Sequence, residues 1–145
     1  MRAARILLVA ALLVTAASGP ARAERLVVIA PKANVRSGPG IDHPVVWQLE
    51  RYFPLEVIER RGKWCLFEDF EGDRAWIHDS LLGRMDAVVT VKTHCNVRRG
   101  PGTDHPVVFQ VGAGVPFQVL ARQGRWLQVR HADGEEGWIA KSLVR

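Results

Sequence analysis

Little in this chain marks a catalyst. Only two cysteines stand among its 145 residues, and their spacing matches no zinc-ligand pattern. No glycine-rich phosphate loop opens a helix, and no isolated carboxylate pair sits in an apolar setting. No Cys/His/polar set has the surroundings of an activated nucleophile. Charge of one sign is scarce too: 20 Lys+Arg face 15 Asp+Glu, and neither half carries the dense basic stripe of a nucleic-acid binder. Beyond residue 23 there is no long apolar run and no room for a long helix. The expectation is a chain without catalytic residues, metal, cofactor or nucleic-acid partner.

Residues 1–23 read as a cleaved secretory signal. Arg2 and Arg5 form a basic start, Ile6 to Val14 is an unbroken apolar run, and Ala21-Arg22-Ala23 places small residues where a signal peptidase needs them. The apolar run is too short to cross a bilayer. The new first residue is Glu24 rather than cysteine, so neither a lipid on that terminus nor another stable membrane anchor is expected. The protein is expected to be exported, periplasmic or extracellular. Without Arg2, Arg5 and Arg22 the balance is 17 basic to 15 acidic side chains. Residues 24–84 hold nine and ten of these, and residues 85–145 eight and five, a weak preference of the second half for an acidic partner.

What the chain does have is a duplicated block. Asn34-Val35-Arg36-Ser37-Gly38-Pro39-Gly40 returns as Asn96-Val97-Arg98-Arg99-Gly100-Pro101-Gly102, an offset of 62 residues that holds without a gap through Trp64/Trp126, Trp76/Trp138 and Ser80-Leu81/Ser142-Leu143. Such a repeat divides the mature chain into two small units. A unit of about 60 residues buries only about 60% of its unfolded surface, so contact between copies or a covalent staple would help it fold.

Each unit reads as β-structure. Leu26 to Ile29 is a short β-branched run, Pro44 to Leu49 a second strand, and Leu55 to Glu59 alternates with period two. A glycine-containing hairpin turn leads to the strand at Trp64, and Trp76-Ile77 makes the last short one before a helical turn. Five short strands with tight turns predict a small closed barrel. The divisions expected are a signal at 1–23, one domain at 24–83, a short linker at 84–87 and a second domain at 88–145. A link that short is no flexible tether.

The Asn-Val-Arg-Ser-Gly-Pro-Gly block, then Pro-Val-Val, Gly-Lys-Trp, Trp-Ile and Ser-Leu-Leu, resemble the bacterial SH3-like (SH3b) family, and both copies carry the whole pattern. The resemblance covers nearly all of residues 26–144. It implies an all-β fold of two tandem SH3-like five-stranded barrels. It also implies a role at the bacterial envelope, commonly as a targeting module for peptidoglycan or short peptides. Members usually accompany a catalytic domain, which this chain lacks.

Several residues have both a binding and a structural interpretation. Asn34 and Arg36, with Asn96 and Arg98, form a polar rim, the arginine fork being suited to the carboxylates of wall stem peptides. Alternatively, Asn caps the turn and Gly-Pro-Gly sets backbone angles that only glycine allows. Trp64 and Trp126 fill core volume or offer a flat platform. Trp47 and Tyr52 have no tryptophan or tyrosine counterpart in the second copy (Phe109 and Gly114 stand there). They therefore point to the first copy as the binder, or to an interface between the copies. Asp42-His43 and Asp104-His105 invite a metal reading, but adjacent residues on an extended segment point to opposite faces. Cys65 and Cys95 occupy non-equivalent positions (Leu127 and Ala33 are their counterparts). In an exported chain they are expected to pair, closing a loop of about 30 residues for about 3–4 kcal/mol. Two buried free thiols are the alternative.

The function expected is non-catalytic binding at the envelope, to a peptidoglycan stem peptide or an extended segment of another envelope protein. Alternatives are an assembly scaffold without wall affinity and an accessory or regulatory subunit of a cell-wall hydrolase. The sequence leaves the oligomeric state open.

Overall fold

Alternating burial makes the strands. In the computed structural model, which describes residues 23–145, the first repeat forms β1 Glu24–Val28, β2 Lys32–Arg36, β3 Val45–Glu50, β4 Pro54–Arg61, β5 Trp64–Glu68, β6 Arg74–His78 and β7 Leu82–Gly83. The second forms β8 Ala87–Val89, β9 Cys95–Arg98, β10 Val107–Val111, β11 Pro116–Gln123, β12 Trp126–Arg130 and β13 Glu136–Ala140. A three-residue 3-10 turn comes after β6 and after β13. The signal-peptide expectation lies outside the described residues. The all-β expectation holds: each repeat folds into its own sheet, in the orders β3-β2-β6-β5-β4-β1-β7 and β10-β9-β13-β12-β11-β8.

Two details differ from expectation. The sheets have seven and six strands rather than five, chiefly because Lys32–Arg36 and Cys95–Arg98, read as loops, are strands. Ala33 and Val35 are fully buried between outward-facing neighbours, a two-point alternation too brief to stand out beside Gly-Pro-Gly. Nor do the sheets close into barrels, since β3 and β7 end the first and β10 and β8 the second without pairing. Register shifts in β2/β3 and β4/β5, repeated in β9/β10 and β11/β12, mark bulges that bend such strands. The closing element, however, is only two residues long in β7 and a single Thr90–Val144 bridge in the second repeat.

The two cores use the same volume differently. Leu55 and Phe67 are buried in the first, where the second has Phe117 and Val129. The phenyl ring has moved from the strand after the hairpin to the strand before it. In each case it meets the half-buried ring of the edge strand: Trp47 against Phe67 at 6.2 Å, Phe109 against Phe117 at 6.3 Å. Compensated exchange of this kind keeps a core filled. A second compensated pair lies on the surface. Glu68 and Arg74 face each other across β5/β6 at 2.6 Å, and the matching positions hold Arg130 and Glu136, also at 2.6 Å, with the charges exchanged.

The expected disulfide does not form. Cys65 and Cys95 are free and buried, one in each core. Cys65 lies on β5 in the first core and Cys95 opens β9 in the second, so the two thiols face separate cores. Burial, above all, raises both thiol pKa values. Cys65 Sγ accepts from Arg60 Nη1 at 3.4 Å, and Cys95 Sγ donates to the Lys92 carbonyl at 3.3 Å. The repeats are joined through β8 instead. Its three residues are all buried, and strand alternation sends Val88 into the second core and Val89 into the first. Arg25 Nη2 adds a bond to the Ala87 carbonyl at 3.1 Å.

Candidate functional site

The polar residues of the repeated block do structural work. Asn34 Oδ1 accepts from Gln48 Nε2 across β2/β3 at 2.8 Å, and Asn96 Oδ1 from Gln110 Nε2 at 2.7 Å. Arg36 Nη1 donates to the Ile41 and His43 carbonyls at 3.3 and 2.9 Å; Arg98 Nη1 donates to those of Thr103 and His105 at 3.1 and 3.0 Å. Each guanidinium therefore holds the loop that leaves its own strand. The glycines of Gly-Pro-Gly are needed for space rather than for backbone angle, since none of the four has a positive φ. A β-carbon on Gly38 would lie 2.4 Å from His43 Nδ1, and one on Gly100 2.5 Å from His105 Nδ1. The Asp-His pair folds back over its own loop: Asp42 Oδ1 would sit 2.4 Å from a β-carbon on Gly40.

The aromatic candidates separate. Trp47 packs edge-on against Phe67 in the first core. Tyr52 holds a left-handed φ of 74°, at the position where the second repeat has Gly114 with φ 80°. The two backbone N–H groups make matching bonds, to Val28 O at 2.8 Å and Thr90 O at 2.7 Å. Trp64 and Trp126 are half-buried and open the strands β5 and β12. Their cross-strand partners differ. Trp64 faces His78, whose ring stands perpendicular to the indole at 5.3 Å. Trp126 faces Ala140.

At Trp126 the smaller partner leaves room. A hollow of about 220 Å³ is lined by Trp126, Asn96, Arg98, His94, Thr103 and Leu143. A second, of about 450 Å³, is lined by Trp126, Ala140, Ser142, Arg125 and Lys141. The structure thus brings Asn96, Arg98 and Trp126 together, and adds Arg125 and Lys141, which sequence reasoning missed. Trp47 and Tyr52 are not among the lining residues. In the first repeat Asp79 stands where the second has Lys141, and the His78 imidazole stands where Ala140 has only a methyl group. Its Nδ1 lies 2.7 Å from Ser80 Oγ and accepts from the Ser80 backbone N–H at 3.2 Å. The signal that distinguishes the two sites was present in the repeat itself, as His78-Asp79 against Ala140-Lys141.

A further cleft of about 370 Å³ lies where the repeats meet, with Phe70, Val89 and several carboxylates in its lining. Three of those carboxylates are already engaged. Glu56 faces Arg25 at 3.8 Å, Glu68 pairs with Arg74, and Asp69 Oδ1 accepts from the Glu71 and Asp73 backbone N–H groups at 2.9 Å each.

Comparison with known proteins covers both halves. The family model described as Bacterial SH3 domain matches residues 30–83 and 91–145. The chain is 24% identical over 142 residues to a putative N-acetylmuramoyl-L-alanine amidase, YrvJ, of Bacillus subtilis, a match covering 90% of this chain and 26% of that protein. It is 34% identical over 53 residues to a probable cell wall amidase, LytH, of Staphylococcus epidermidis, covering 36% of this chain and 18% of the relative. The chain therefore spans about a quarter or less of these relatives' lengths. Among solved structures, an NlpC/P60 family protein from Bacillus cereus aligns with a TM-score of 0.42 at 12% identity, over 84% of this chain and 56% of that one. With two full family matches on two sheets of the same strand order, and the Asn-Val-Arg block at the same place in each, the chain belongs to the bacterial SH3 domain family and carries that domain twice.

Proposed function

We propose that this protein is a non-catalytic binding module of the bacterial cell envelope, which holds a peptidoglycan stem peptide at the second repeat. The observation that carries this is the half-buried Trp126, bordered by Asn96 and Arg98 on one side and by Arg125 and Lys141 on the other. A flat indole with one open face supplies apolar contact to an extended chain. Guanidinium and ammonium groups beside it are suited to carboxylates. The relatives named as a putative N-acetylmuramoyl-L-alanine amidase and a probable cell wall amidase support a wall ligand. Because the part matched is 26% and 18% of those proteins, a second reading also has an observation behind it: this chain serves a separate wall hydrolase as its accessory subunit.

Sedimentation with purified peptidoglycan tests the proposal. The chain should pellet with the wall material. Trp126→Ala should weaken that association about tenfold or more, the usual consequence of truncating an aromatic anchor, while its far-UV circular dichroism stays unchanged. Undiminished pelleting of the folded variant would contradict the site. No pelleting of the unaltered chain would contradict the wall ligand.

A further inference from the structure

We infer that the two repeats are unequal binders: the second accepts a carboxylate-bearing stem peptide at Trp126, and the first is closed to it by His78 and Asp79. This deepens the wall-binding proposal and rests on it. Duplication gives each repeat the same tryptophan at the start of the strand after the hairpin, and the same Asn and Arg two strands away in the sheet. The difference lies in two consecutive residues, the last of the next strand and the first of the 3-10 turn after it.

Size is the first part of the difference. Ala140 presents only a methyl group beside Trp126. At the same place His78 sets a ring edge-on to Trp64 at 5.3 Å. That ring is tied down, because its Nδ1 meets the Ser80 hydroxyl at 2.7 Å and caps the 3-10 turn through the Ser80 N–H. A ligand lying on the His78 side of Trp64 would have to displace that ring, whereas Ala140 puts no ring beside Trp126.

Charge is the second part. Arg125 and Lys141 flank Trp126 in one hollow, and among the described residues neither forms an ion pair. Their counterparts are Lys63 and Asp79, of opposite sign, which cancel at the distance of a bound peptide. An anionic group therefore meets two cations in the second repeat and no net charge in the first. Complementarity of this kind selects the partner and weakens with added salt. The lining residues of both hollows at Trp126 include no acidic side chain.

Calorimetric titration of the chain with a soluble disaccharide-tetrapeptide, released from peptidoglycan by digestion, provides the test. One ligand per chain is expected. Replacing His78→Ala and Asp79→Lys together should raise this to two, and replacing Ala140→His and Lys141→Asp together should weaken the original site about tenfold or more. Amidating the ligand's carboxylates should weaken binding as well. Two equal sites in the unaltered chain would overturn the inference and leave wall binding intact, as would an unchanged single site in both double variants. Equal binding of the amidated ligand would overturn the charge selection. If the unaltered chain binds no muropeptide, or binds only an acidic protein-derived peptide at Trp126, the wall ligand falls and this inference with it.

Discussion

Tyr52 is the one described non-glycine residue with a positive φ, 74°. The left-handed region crowds a β-carbon against the following carbonyl, at about 1–2 kcal/mol for an L-residue. Gly114 takes the same place in the second repeat without that cost. The usual order of glycine and alanine should therefore invert here: Tyr52→Gly should be more stable than Tyr52→Ala by about 1 kcal/mol, measured as the difference in urea midpoints at equal slope. Equal stabilities would mean that the backbone does not hold this angle in solution. At the residue scale the sequence was legible where the repeat duplicated a contact. It misled where one letter stood for two physical needs. The glycines of Gly-Pro-Gly suggested unusual backbone angles, yet they make room for His43 and His105, a side-chain contact five positions away that no local turn rule reports. Tyr52 stands out in sequence as an aromatic, although its distinguishing property is its backbone.

Among the elements, β8 has the least visible role. Its three residues, Ala87-Val88-Val89, are all buried, where the sequence reads the end of a linker and the start of the second domain's first strand. Val89, 1% exposed, packs in the core of the first repeat. Val89→Ala should therefore lower stability by about 1–3 kcal/mol through the cavity it leaves. Hydrogen exchange should quicken at β1 and β4 amides of the first repeat, on the far side of the sequence boundary. Faster exchange confined to the second repeat would show that the cores are independent. Period-two patterning did reveal β4 and β11, because each alternates over several residues, and the glycine-containing turns after them pointed to β5 and β12. It missed β2 and β9, where two inward positions precede a glycine-rich loop. It could not show that the sheets stay open, since closure depends on the few residues after the 3-10 turn, which form a two-residue strand in one repeat and a single bridge in the other.

For the molecule as a whole, the absent staple changes the expected response to pH. Burial raises the thiol pKa of Cys65 and Cys95 above the ordinary 9.0. A raised folded-state pKa contributes stability that is fully present below the unfolded value. That stability is lost as pH climbs through the folded one, because the unfolded chain ionises first. Stability should decline above about pH 9, and the decline should be shallower with Cys65→Leu and Cys95→Ala, the residues the sister repeat uses. An identical alkaline slope in that variant would contradict the buried, unpaired thiols. On the acid side, the Arg60 hydrogen bond chiefly lowers the Glu24 carboxyl below 4.5. Its contribution is present above that value and is lost as pH falls below it.

The duplicated fold was plain in the sequence because a 62-residue offset is a long-range signal. The proposed inequality of the two tryptophan sites was not, because it rests on two substitutions whose meaning depends on strand pairing across Trp64 and Trp126. Chemical-shift mapping of the chain, as it is titrated with the soluble disaccharide-tetrapeptide, addresses that inequality directly. We expect saturable shifts at Asn96, Arg98, Trp126 and Ala140, with their counterparts Asn34, Arg36, Trp64 and His78 unmoved. Shifts of equal size in both repeats, or shifts centred on the cleft around Phe70, would contradict it.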